Sequence, residues 1–63
     1  MKVQVTTKKG SILQGQVKMI DDCFISLLDT QIIDIKEIGE FRYSDNGTSS
    51  VIKSYIKSIQ IIK

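Results

Sequence analysis

The side chains able to do chemistry are few: one thiol, one adjacent pair of carboxylates and a scatter of lysines. Cys23 is the only cysteine, and the chain has no histidine to act as a base near neutral pH. A thiol becomes a nucleophile when a neighbouring base or cation lowers its pKa, and none is in view. Cys23 is in phase with Ile25 and Leu27, so it is expected to face inward as a small buried hydrophobe. Asp21-Asp22 would serve general acid–base catalysis only if the two carboxylates sat in different environments. Adjacent residues on a turn point apart, and a solvated turn is the expected role. Gly10 and Gly15 have the spacing that opens a phosphate loop, but the Gly-Lys-Ser/Thr ending is missing. A lone cysteine without histidine gives no structural zinc set. The chain is therefore expected not to be an enzyme, and to need no cofactor or metal.

Binding is the remaining chemistry. Lys8 and Lys9 fall at a loop tip, where they can touch phosphate or simply act as a charged turn guarding a sheet edge. Lys53 and Lys57 lie four apart and, with Lys18, could form a basic patch. Phe24, Tyr43 and Tyr55 are the aromatics expected to be partly exposed. Exposed aromatics suit base stacking and peptide binding equally.

The elements that must position these groups read as strands. Residues 2–7, KVQVTT, alternate with Val3 and Val5 inward. Lys8 to Ser11 makes a loop in which Gly10 can take positive φ. In residues 11–20, Leu13, Val17 and Met19 share one face, and Gln14, Gln16 and Lys18 the other. Gly15 falls on the apolar face, where a strand glycine marks a bend, a bulge or a close backbone approach. Asp21-Asp22 turns the chain into a strand over residues 23–29. Residues 31–36 and 40–43 read as further strands, with a bend at Lys36-Glu37 and Phe41 and Tyr43 on one face. Asn46-Gly47, inside the longest polar run, is a hairpin signal. Residues 51–63 fit two periods: a helical spacing through Ile52, Ile56 and Ile59, with Ser49 or Ser50 as cap, or a strand through Ile59 and Ile61. The β-branched composition favours the strand, and the helix stays open. Short strands separated by turns at this spacing predict an all-β chain, a five- to six-stranded strongly bent small barrel with SH3-like or OB-like closure. A glycine-bent strand is how a short chain curls such a sheet.

Sixty-three residues make one domain, 1–63. A chain of this length buries only about 60% of its unfolded surface, and one cysteine allows no internal disulfide. Self-association is the expected extra source of stability. The net charge of +2 is too small to demand nucleic acid by itself. No apolar run has signal-peptide or membrane-span length, so a cytoplasmic protein without membrane contact is expected, consistent with an unpaired thiol.

The stretch VQVTTKKGSILQGQVKMIDDCFISLLD resembles the first motif of the Sm-like family, and within it the bacterial Hfq branch. The matching positions are Val3, Val5, Gly10, Leu13-Gln14-Gly15, Val17, Ile20-Asp21, Ile25 and Leu27, without a gap over residues 3–28. The second motif has two placements. Val51 to Ile59 resembles it at Val51, Lys53 and Ile56, which makes residues 30–50 an insertion; Gln31 to Ile38 also resembles it, which makes the last twenty residues an extension. The first placement is preferred, because it uses the terminal strand to close the barrel. The resemblance implies an Sm-like barrel, rings of six or seven subunits joined through edge strands, and binding of single-stranded, often U-rich RNA near the pore. It places Asp22 and Cys23 where the family's pocket has a polar residue and an aromatic, and Ser54 where its histidine follows the lysine, here Lys53. An aspartate repels phosphate and a cysteine cannot stack on a base. The candidate nucleic-acid contacts are thus Lys8, Lys9, Asp22, Lys53, Ser54 and Lys57. Two functions follow from different classes: a homo-oligomeric ring that binds single-stranded RNA, or a small β-barrel module that docks on a protein partner, as a regulator, without nucleic acid.

Overall fold

The computed structural model describes residues 1–62. Six strands form: β1 (Lys2–Thr7), β2 (Ile12–Ile20), β3 (Phe24–Asp34), β4 (Phe41–Tyr43), β5 (Ser49–Ile52) and β6 (Ile56–Ile62). Single 3-10 turns at Ile38–Glu40 and Lys53–Tyr55 precede β4 and β6. All pairings are antiparallel, in the order β4-β5-β3-β2-β1-β6. A flat sheet of six strands would be about 24 Å wide and only a pleat thick. The molecule instead measures 24 × 23 × 22 Å, so the sheet is strongly bent around its own inner face. It is open, with β4 and β6 as its edges.

The period-two pattern explains the core. Val3, Val5, Leu13, Ile25, Leu27 and Val51 are buried, and Val17, Ile32, Phe41 and Ile56 pack against them. Val3 pairs with Gly15 and Val5 with Leu13, so the inward residues of β1 and β2 face each other across one ladder.

The departures from strict alternation are bulges. Between Val17 and Met19 the register to β3 slips: Val17 pairs with Leu27, but Met19 pairs with Ser26. The extra residue, Lys18, moves Met19 off the inner face, and Met19 is exposed where the alternation predicts it inward. A second slip lies between Gln14, paired with Gln31, and Gln16, paired with Leu28. There Asp29 and Thr30 together oppose Gly15, and Asp29 takes a left-handed φ of 51°. The break expected at Thr30 is this bulge. Residues 31–34 therefore continue β3 as one eleven-residue strand and do not form a separate one. The Thr30 hydroxyl lies 2.8 Å from that of Ser49, and the Thr30 amide donates to the Gly47 carbonyl. Both tie the bulge to the β4–β5 hairpin, which turns at Asn46-Gly47 with Gly47 at φ 87°.

At the C-terminus the strand reading holds. Residues 51–52 end β5, one 3-10 turn follows, and β6 runs antiparallel to β1. The helical spacing is realised only as that single turn, because β1 offers residues 56–62 an open edge to pair with. Lys63 lies outside the described residues.

Candidate nucleic-acid interface

Three connections meet at one corner of the molecule. The first is the β1–β2 loop, where Gly10 at φ 99° closes the turn and its amide donates to the Thr7 carbonyl at 3.0 Å. The second is the β2–β3 loop, where the Asp21 amide donates to the Phe24 carbonyl. These loops sit at opposite ends of β2, and in a flat hairpin they would be far apart. The 3-10 turn Lys53–Tyr55 joins them. At its start the Lys53 amide donates to the Cys23 carbonyl at 2.8 Å, and at its end the Tyr55 carbonyl accepts from the Lys8 amide at 2.8 Å. The bend of β2 brings its two ends within reach of one turn.

This places the residues singled out in the sequence. Lys8 and Lys9 are exposed at the tip of the first loop, and Asp22 is exposed on the second. Lys53 and Ser54 are exposed on the turn that bridges them. Lys57 follows two residues after that turn, exposed where the β1–β6 register slips: Thr7 pairs with Ile56 and Thr6 with Ser58. Lys53 lies in the turn and Lys57 at the register slip, so no single strand face carries both. Among the described residues the one ion pair is Lys36 with Asp34, at 3.3 Å on the surface, so the ammonium groups of the four lysines of the corner are in no ion pair there. Asp21 and Asp22 are the exposed acids of the second loop. Among the described residues, no three acidic or cysteine side chains are grouped so as to hold a metal.

Two residues at this corner have no counterpart in the candidate set. Tyr55 ends the bridging turn and is 42% exposed, an aromatic face beside the lysines. Glu40 is only 3% exposed, although residues 40–43 read as one strand and Glu37 three positions earlier is solvated. It belongs to the first 3-10 turn. The Thr7 hydroxyl donates to its Oε1 at 2.7 Å, and the Lys9 amide to its Oε2 at 3.4 Å. The same Thr7 oxygen accepts from the Ser11 amide at 2.9 Å. The Ser11 hydroxyl in turn accepts from the amides of Lys36 and Glu37, at 2.9 and 3.2 Å. This network clamps residues 36–40 onto the β1–β2 loop and fixes the backbone under Lys8 and Lys9. Nothing local in the sequence separates the buried glutamate from the exposed one. The distinction arises from a contact spanning more than thirty residues. An open depression of about 360 Å³ lies there, lined by Lys9, Glu37, Gly39, Glu40 and Tyr55.

Cys23 corrects an expectation. It is exposed in the β2–β3 loop, because β3 begins only at Phe24 and the alternation through Ile25 and Leu27 does not reach it. The thiol is expected to react fully with a water-soluble disulfide reagent without denaturant, and protection in the native state would contradict its placement.

No family model, curated protein or solved structure matches the chain.

Proposed function

We propose that this chain is a self-associating small β-barrel that binds single-stranded RNA at the corner formed by its β1–β2 loop, β2–β3 loop and second 3-10 turn. The observation that carries the reading is the backbone joining of the β1–β2 loop, with exposed Lys8 and Lys9, to the turn Lys53–Tyr55, with exposed Lys53 and Tyr55 and with exposed Lys57 two residues on. Ammonium groups supply sequence-independent attraction to phosphate, and an aromatic face supplies stacking for an unpaired base. The resemblance of residues 3–28 to the Sm-like family points the same way. The departures at Asp22, Cys23 and Ser54 put the weight on the lysines and on Tyr55.

Self-association has its own support. Both sheet edges are open. On β6, Ile59 and Ile61 pair with the core residues Val5 and Val3, so they lie on the inner face, yet they are 48% and 66% exposed. An uncovered apolar edge strand invites pairing with another chain. Joining the β6 edge of one copy to the β4 edge of the next is a head-to-tail contact that closes into a ring when the rotation allows. Light scattering on a sizing column is expected to give six or seven times the 7.1 kDa chain mass. A monomer would overturn the ring.

The RNA reading is tested by mobility shift with U-rich and A-rich oligonucleotides at low salt, where no binding would sink it. The double variant Lys8→Ala/Lys9→Ala is expected to bind more weakly. Its plot of log affinity against log salt should be shallower by about 1.4, roughly 0.7 per lost phosphate contact on a single strand. An unchanged slope would take these lysines out of the interface.

One observation favours the protein-docking reading. A second open depression, of about 430 Å³, lies beside the β4 edge, lined by Phe24, Phe41 and Ile52 with Arg42 and Ser50. Mapping the bound surface separates the two readings.

A further inference from the structure

We infer that the depression between the β1–β2 loop and the two 3-10 turns is a base-reading subsite for guanine. The inference rests on the RNA-binding reading and gives that site a base preference. Its lining includes a lysine, an aromatic residue and an exposed glutamate: Lys9, Tyr55 and Glu37. Its volume of about 360 Å³ is in the range of small-molecule sites, roughly 300–1,000 Å³.

The two glutamates there do different work. Glu40 is buried, and both its oxygens are engaged by Thr7 and Lys9. It shapes the floor and holds the loop. Glu37 is exposed and in no ion pair among the described residues. Its backbone is nevertheless fixed, because its amide donates to the Ser11 hydroxyl. Glu37, on an anchored backbone and outside any ion pair among the described residues, thus lines the same depression as Tyr55.

An ionised carboxylate only accepts hydrogen bonds. It therefore selects among bases by their donors. Guanine presents two adjacent donors on its Watson–Crick edge, N1–H and the 2-amino group, which match the two oxygens of one carboxylate. Adenine and cytosine each present one amino donor beside a ring-nitrogen acceptor. Uracil presents N3–H between two carbonyl oxygens, and both carbonyls repel the carboxylate. Single-stranded RNA leaves these edges free to be read while the base stacks on an aromatic side chain. Lys9 is then placed for the attached phosphate. The selectivity is the reverse of a preference for uracil.

The test is fluorescence anisotropy at low salt with four labelled heptamers: all-uridine, and the same strand with guanosine, inosine or adenosine at the centre. Inosine keeps N1–H and lacks the 2-amino group. The guanosine strand is expected to bind about tenfold tighter than the all-uridine strand, the scale of one bidentate contact, with inosine between them. Glu37→Gln should erase most of that difference, with its circular dichroism melt checking that it folds. Guanosine monophosphate is titrated in parallel, with the Glu37 and Tyr55 amide resonances as the readout. Equal binding of all four strands, with no shifts from the mononucleotide, overturns the subsite and leaves the RNA reading standing. Shifts from the mononucleotide without binding of any strand support the guanine site as one for a free nucleotide, and sink the RNA reading. Absence of both overturns both.

Discussion

Gly15→Val is expected to leave the chain largely unfolded at room temperature. A Cβ at this position would lie 2.9 Å from the Leu28 carbonyl oxygen and 3.0 Å from the Leu27 Cβ, with the Thr30 Cα at 3.5 Å. The nearest atom is backbone of the neighbouring strand, and Leu27 is itself part of the core, so neither can swing aside. The contact is close because β2 bends here against the bulge of Asp29 and Thr30. Overpacking a tight site costs about 1–3 kcal/mol, sometimes more, and valine adds two further carbons to the clash that alanine would make. A chain of this length has a total stability of roughly 3–9 kcal/mol at 0.05–0.15 kcal/mol per residue. Gly15→Ala should fold with a melting temperature lowered by about 4–8 °C per kcal/mol lost. Gly15→Val should show little cooperative melt by circular dichroism. The same bend brings the two ends of β2 to one corner, so its loss removes the site as well as the fold. A valine variant that melts like the parent would refute both statements.

The second large effect is expected at Glu40. Replacing it with leucine removes the acceptor of the fully buried Thr7 hydroxyl and of the Lys9 amide. Orphaning a buried donor costs about 1–3 kcal/mol, a large share of a small domain's stability. Glu40→Gln keeps one carbonyl oxygen for Thr7 and should cost less. The damage should be local as well as global. Amide hydrogen exchange at residues 8–11 is expected to quicken more in Glu40→Leu than exchange in the paired centre of β1 and β2. A uniform change along the chain would mean that Glu40 contributes bulk stability and does not position the loop.

How far the molecule could be read from its residues depends on where bulges fall. The alternation of Val3 and Val5, of Leu13 and Val17, and of Ile25 and Leu27 announces β1, β2 and β3, because burial on one face imposes period two. Asn46-Gly47 announces its hairpin, because its glycine adopts the positive φ the turn requires. Gly15 announces the bend. Alternation alone places Met19 inward, but an inserted residue swaps the faces of a strand, and Lys18 carries no mark of being that residue. The eleven-residue β3 looks like two strands in the residues for the same reason, since Asp29 takes a left-handed φ that its neighbours do not demand. The β-branched residues of 56–62 favour a strand, and it is realised because β1 has an edge to offer.

The site was legible in its charges and not in its geometry. Lys8, Lys9, Lys53 and Lys57 are visible as exposed cations, but that their backbone segments adjoin follows from the bend of β2 and from two backbone hydrogen bonds at the ends of one 3-10 turn. Tyr55 is visible as an exposed aromatic, and only that turn joins it to the loop of Lys8 and Lys9. Glu40 is legible in neither way, because a glutamate is buried only when distant partners receive it.

The most direct test of the proposed RNA interface is to map the bound surface on the folded protein. In an amide chemical-shift titration with a short single-stranded RNA at low salt, the largest shifts are expected at residues 8–10, 22–23 and 53–57. Shifts confined to Phe24, Phe41, Arg42 and Ile52, or no shifts at any RNA concentration, would contradict the proposed function.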